Sequence, residues 1–236
     1  MRVPVLFYHK INVPSPKAKI KGLYVTPGSF LNQMRYLKWR GYSTISLDEL
    51  LKGLNSEAEL PPRPIVLTFD DGYEDNYTYA FPILKKFGFT ATIFLVTRDI
   101  GRLPDWPDSE EKIQEPILSW EQIKEMADYG ISFQSHTHTH PSLHKLDRQK
   151  IKEEVVTSKK IIEKKLKNKV NFLCYPYGHF NFKVEQVLKE ADYKGALTTK
   201  RGLVRDGDNP YSLSRIGIKR KHRIWTFARH LEFKYR

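Results

Sequence analysis

The chain has a single cysteine, Cys174, among its 236 residues, so no intrachain disulfide can staple it. A lone thiol suits a reducing compartment. There is no apolar run long enough to span a bilayer. The opening MRVPVLFYHKI is broken by Pro4 and closed by Tyr8, His9 and Lys10, too short for the core of a secretory signal. The expectation is therefore a cytoplasmic protein with no transmembrane segment. No Gly/Ser-rich linker, low-complexity tract or internal repeat divides the chain, which points to one domain over residues 1–236. Acidic residues are also scarce: 27 Asp and Glu face 40 Lys and Arg, a formal charge of +13. Anionic surfaces are thus natural peripheral partners. Helix-turn-helix, zinc-finger and RNA-binding-sheet signatures are missing, so no specific nucleic-acid reader is expected. Nothing in the sequence speaks to oligomeric state.

What is present alternates. Short β-rich runs occur at residues 3–7 (VPVLF), 65–69 (IVLTF), 90–96 (TATIFLV), 131–134 (ISFQ), 170–174 (VNFLC), 195–198 (GALT) and 213–218 (LSRIGI). Helical patterns lie between them: after Thr26-Pro27-Gly28 up to Gly41, over 47–54, over 77–87 ahead of Gly88, over WEQIKEMADY capped by Ser119, over the lysine-rich 145–169, and over 183–191. In 145–169, Ile151, Val155, Ile161, Ile162 and Leu166 share one side, and the Lys/Glu remainder reads as a solvated face. Strand–helix alternation with about seven strands predicts a parallel α/β sheet rolled into an incomplete or closed barrel. Residues 98–116 read as an excursion over one rim. In such folds sites gather at the carboxyl ends of the strands.

Three strand ends carry chemistry. LTFDDGYEDNY places Asp70 and Asp71 side by side, with Gly72 free to turn. Adjacent carboxylates repel unless a cation is near, although the same residues can simply cap a helix. SHTHTHPSLH holds four of the eight histidines. A continued strand would put His136, His138 and His140 on one face, whereas a helical turn would pair His136 with His140. Two histidines at ligand spacing, near two carboxylates, point to a divalent metal site with open positions. His138 and His144 read as supporting or surface groups. FLCYPYGHF offers Pro176 and Gly178 for a rigid turn, with Tyr175 and Tyr177 as walls on which a sugar could stack. Trp106 and Trp120 are further stacking candidates.

TFDDG, then HTxxHP, then YPYG, in that order, resemble the NodB-homology polysaccharide deacetylases of carbohydrate esterase family 4, over about residues 3–218. The resemblance implies a distorted (β/α)7 barrel and a hydrolase that removes acetyl groups from glycans. It implies Asp71, His136 and His140 as metal ligands, zinc foremost, with Co2+, Ni2+, Mn2+ or Fe2+ also accommodated. It implies Asp70 as general base, a supporting Thr137 hydroxyl, and the Tyr177 N–H as an oxyanion donor. No organic cofactor is called for, and an N-acetylated glycan or amino sugar is the implied partner.

The departures are informative. Many relatives carry an arginine where this chain has Cys174, and Arg215 in LSRIGI is the candidate replacement. The late Asp-Trp and leucine-x-histidine motifs are absent. FYHK at the first strand instead resembles circularly permuted members, including poly-β-1,6-N-acetylglucosamine deacetylases, and implies His9 as the general acid. His179, His222 and His230 receive no role. The alternatives left open are another non-peptide C–N hydrolase on the same barrel, a lapsed glycan-binding protein, and a metal-dependent nuclease.

Overall fold

A computed structural model describes residues 2–16, 18–106 and 115–234, with side chains through 232. Seven parallel strands close into a barrel: β1 Val5–Tyr8, β2 Pro64–Phe69, β3 Thr92–Leu95, β4 Ser132–Ser135, β5 Phe172–Cys174, β6 Gly195–Arg201 and β7 Leu213–Gly217. Each pairs with the next in sequence, β7 pairs with β1, and β1 pairs with β2 from Val5↔Val66 to Tyr8↔Phe69. That last ladder completes the circle. The barrel is uneven: β4 and β5 share the single pair Ser135↔Leu173, and the register slips between β6 and β7. Outside it, Ser43–Thr44 pairs parallel with the start of β2, and Arg2–Val3 pairs antiparallel with Val204–Arg205.

The seven apolar runs became strands because a covered barrel buries both faces of its sheet. Val5, Val66, Phe94, Phe172, Leu197 and Leu213 fill the interior. Their neighbours Leu6, Leu67, Ile93, Leu173 and Ile216 pack outward under the helices. These are α1 Pro27–Trp39, α2 Leu47–Leu54, α3 Phe81–Phe87, α4 Trp120–Tyr129, α5 Arg148–Leu166, α6 Phe182–Glu190 and α7 Ile224–Arg229. Local signals set their limits. Ser46–Glu49 and Ser119–Gln122 form reciprocal capping boxes on α2 and α4, and left-handed Gly88 and Gly130 end α3 and α4.

One expectation needed correction, and one helix was not foreseen. The pattern over 77–87 is a π-helical turn, Asn76–Ala80, followed by α3. The helix α7 carries no sequence signal, because its N-cap Arg223 offers no side-chain capping bond. Part of the 98–116 excursion lies outside the described residues. Among the described residues no helix is long and apolar enough to cross a membrane.

Candidate active site

Strand alternation aims the chemistry inward. Counting along each interior face gives Val5–Phe7–His9, Val66–Thr68–Asp70, Gln134–His136, Phe172–Cys174 and Leu213–Arg215. All five series end at the carboxyl rim, where His9, Asp70, Asp71, His136 and His140 line one cavity of about 210 Å³. Asp71 is one residue out of phase with Asp70. It reaches the same cavity through a left-handed backbone, φ 76°, followed by Gly72 at φ 75°. A Cβ on Gly72 would stand 2.8 Å from Leu95 Cδ2.

The histidine loop is neither a continued strand nor a helix. After β4 ends at Ser135, Thr137 and His140 both adopt positive φ, 72° and 61°. Each such residue costs roughly 1–2 kcal/mol. The loop is held in place by short-range bonds: Thr137 N–H donates to Ser135 Oγ and His140 N–H donates to Thr137 Oγ1. From α5, the Glu154 carboxylate accepts the N–H groups of His138 and Thr139 and the Thr139 hydroxyl. The result brings both imidazole Nε2 atoms to Asp71 Oδ1, at 3.3 Å for His136 and 3.5 Å for His140.

Those residues fit a divalent ion. His136 Nδ1 lies 2.7 Å from the Cys174 carbonyl oxygen, which can only accept. That assigns the ring proton to Nδ1 and turns the Nε2 lone pair toward a carboxylate that also only accepts. Two acceptors facing each other require a cation between them. With ligand bonds of about 2.0–2.1 Å, tetrahedral neighbours stand roughly 3.3–3.4 Å apart, which matches the spacing here. With no ion bound, a proton takes the place: against the burial that disfavours its charge, the neighbouring Cys174 and Asp71 raise His136 well above its ordinary pKa. Burial would raise Asp71, but the His136 hydrogen bond and the imidazole charges outweigh it and hold the carboxylate low. Burial first, then His136, pushes His140 down to about 3, leaving it neutral.

Asp70 has a different partner, although its carboxylate lies within 4.8 Å of a His136 ring nitrogen. The Arg215 guanidinium grips it at two points, 2.7 and 2.8 Å. The remaining Arg215 donors go to Thr198 O, Thr68 Oγ1 and Cys174 Sγ, so all five N–H groups are used. Arg215 therefore stands where the arginine absent at position 174 would be needed. Burial opposes ionisation of Asp70, but the Arg215 charge and hydrogen bonds prevail and keep it ionised. Across the cavity, His9 Nε2 is 4.0 Å from Asp70 Oδ2. Burial lowers the His9 pKa more than Asp71 and Asp70 raise it, so the resting ring is neutral.

Residues 57–196 match the family model for polysaccharide deacetylase. The chain belongs to the polysaccharide deacetylase family. YxkH of Bacillus subtilis, assigned to polysaccharide deacetylases by name, is 31% identical over 92% of this chain and 71% of its own length. A poly-β-1,6-N-acetyl-D-glucosamine N-deacetylase of Staphylococcus aureus is 29% identical over 86% of this chain and 71% of its own. The solved structure of the Streptococcus pyogenes deacetylase PplD in complex with acetate superposes with a TM-score of 0.88, at 30% identity, over 98% of this chain and 99% of that one.

Within this deacetylase cavity the aromatic residues differ in use. Trp106 stacks on His140 with centroids 4.3 Å apart, and its Nε1 donates to Asp99. Tyr177 lines the cavity from a left-handed turn, φ 61°, followed by Gly178, where a Cβ would lie 2.8 Å from Thr199 N. Tyr175 also lines the cavity, but its ring is buried and stacked on Phe180, and its hydroxyl donates to Tyr211 O. Trp120 packs beside Lys165 and does not line the cavity. His138 bonds Thr97, and His144 bonds Ser142.

Sequence reasoning missed Glu154, Asp75 and Asn76. The Asn76 amide donates to the His9 carbonyl, and Asp75 Oδ1 accepts from Ile11 N–H, so this pair fixes the exit of β1 on either side of Lys10. Lys10, Tyr73 and Glu115 surround Asp75. Burial pushes the Asp75 carboxyl up to about 7, against Ile11 N–H, Lys10 and Asn76. An unfolded aspartate titrates near ~3.9. Between about pH 4 and 7 the folded chain holds a proton that the unfolded chain has released, so stability falls as pH rises. Asp75→Asn removes that proton uptake. Its stability relative to wild type will rise through this window, by at most about 1.4 kcal/mol per pH unit, and level off above it. Urea unfolding at several pH values measures the slope, and a constant difference would contradict it.

Proposed function

We propose that this deacetylase hydrolyses the acetamide of an N-acetylated amino sugar in a glycan, with a divalent ion, zinc foremost, held by Asp71, His136 and His140. The observation that carries the reading is a ligand triad beside a second carboxylate, Asp70, that Arg215 keeps charged. The names of the Staphylococcus relative and of the acetate-bound Streptococcus structure support it. Acetate is the acid such a hydrolysis releases.

A divalent ion in this triad supplies carbonyl polarisation and makes bound water more acidic. Asp70, ionised and fixed in direction, accepts the proton shed by the attacking water. The Tyr177 N–H, presented by its left-handed turn, donates to the oxygen that gains charge. The leaving amine cannot depart as an anion, and His9 Nε2 delivers its proton. His9 is neutral at rest, so it must acquire that proton during the cycle, and Asp70 Oδ2 is its nearest acidic source at 4.0 Å.

The test is metal analysis joined to acetate release from N-acetylglucosamine oligomers. Wild type will retain a stoichiometric divalent ion and release acetate. His136→Ala will lose both, because two of the three ligands cannot hold the ion against chelator. Full metal content in His136→Ala would refute the ligand assignment.

A further inference from the structure

A second cavity, of about 310 Å³, opens at the same rim. Arg201, Lys219, Lys221 and Arg229 line it, together with His222 and Thr226, and no acidic side chain does. Among the described residues no ion pair engages any of these four cations. Some basic side chains elsewhere are matched with acids: Arg148 with Glu190, Lys189 with Glu185, Lys194 with Asp192, and Arg40 and Arg63 with Glu232. Four unmatched cations around one concavity repel one another and are stabilised by an anion. His222 registers their field. Burial first, then His230, Lys221, Lys219 and Arg201, pushes its pKa down to about 4.

The cavity adjoins the active site through shared strands. On β6, Thr199 lines the catalytic cavity and Arg201 the basic one. Arg201 is level with Arg215, and Gly217 pairs with Phe7, two residues before His9. Two residues of strand span roughly 7 Å, on the scale of one sugar ring. A single carboxylate, with two oxygens and one charge, would leave most of these cations unanswered. A phosphoryl group presents more oxygens and up to two charges, and arginine matches it with paired donors.

We propose that this cavity binds a phosphoryl group carried by the glycan, close along the chain from the sugar that is deacetylated. The proposal rests on the deacetylase reading of the neighbouring cavity. It makes the basic pocket a specificity site for substrates that carry a phosphomonoester, leaving the chemistry to the first cavity.

Two measurements test it separately. The first needs no turnover: inorganic phosphate is titrated into the purified chain and followed by calorimetry and by the His222 ring resonances, which distinguish this cavity from the metal site. Wild type will saturate, Lys219→Gln/Lys221→Gln will bind about tenfold more weakly, and the control Lys152→Gln/Lys160→Gln on α5 will match wild type. Absence of a His222 response, or equal weakening in the control, overturns the site, and either result is readable even if the deacetylase reading fails. The second compares acetate release from a neutral N-acetylglucosamine oligomer and its phosphorylated counterpart. The Lys219→Gln/Lys221→Gln variant will raise KM about tenfold for the phosphorylated substrate alone, with kcat unchanged. Equal KM values for the two substrates in wild type would overturn the assignment to substrate.

Discussion

Replacing Asp70 with asparagine will cut acetate release by roughly 10²–10⁴-fold while the divalent ion stays in place. The substitution keeps the shape of the side chain and removes only the charge that accepts a proton. Metal content is the first check, because Asp71, His136 and His140 form the triad without Asp70. Stability is the second. Arg215 loses one of two charge-assisted bonds, and a buried cation left half-paired costs about 1–3 kcal/mol. That cost lowers the melting temperature without explaining a large fall in kcat for the fraction that remains folded. The measurement is therefore kcat per folded, metal-loaded chain. A loss of only a few-fold would mean that another group takes the proton.

The seven strands were legible because a strand buried on both faces has to be apolar throughout, and IVLTF or TIFL admits little else. Closure of the barrel was not, because Val5↔Val66 joins segments 61 residues apart and leaves no local mark. The paired histidines announced a ligand set through spacing and residue type. Their geometry was hidden: neither candidate conformation is present, since Thr137 and His140 are left-handed for reasons that lie in Ser135 and in Glu154 on α5. Glu154 itself belonged to a helix whose charges read as solvated. Arg215 was nominated only by the gap at Cys174. Nothing in LSRIGI distinguishes an inward arginine from an exposed one until the β7 face is known.

The left-handed residues carry a common meaning. Among the described residues eight non-glycine positions have positive φ; three of them, Asp71, His140 and Tyr177, line the catalytic cavity, and a fourth, Thr137, lies in the loop that carries His136 and His140. Strain of about 1–3 kcal/mol each persists only where surrounding contacts over-determine the backbone. Here it converts in-phase strand ends into a convergent set: Asp71 turns inward beside Asp70, and His140 turns back toward His136. The same strain identifies where stability has been given up for placement.

Replacing Arg215 with methionine will be the most damaging change to the fold, by about 3–5 kcal/mol. The guanidinium is fully buried and all its donors are engaged, so its loss strands Asp70 as an uncompensated charge in the barrel interior. Burial, the leading influence on Asp70, already acts to raise its pKa and is opposed chiefly by Arg215. Without that opposition the carboxyl will take up a proton at neutral pH. A base must be ionised to act, so the acid limb of the rate profile will move to higher pH, and residual activity will recover as pH rises. Asp70→Asn in the same chain removes the stranded charge. The double variant will therefore be more stable than Arg215→Met alone, although it lacks both partners. Chemical unfolding of the four proteins of this cycle gives the coupling directly. Additive losses would show that Arg215 supports the barrel by packing alone, and an unshifted pH profile in the single variant would show that it does not set the ionisation of Asp70.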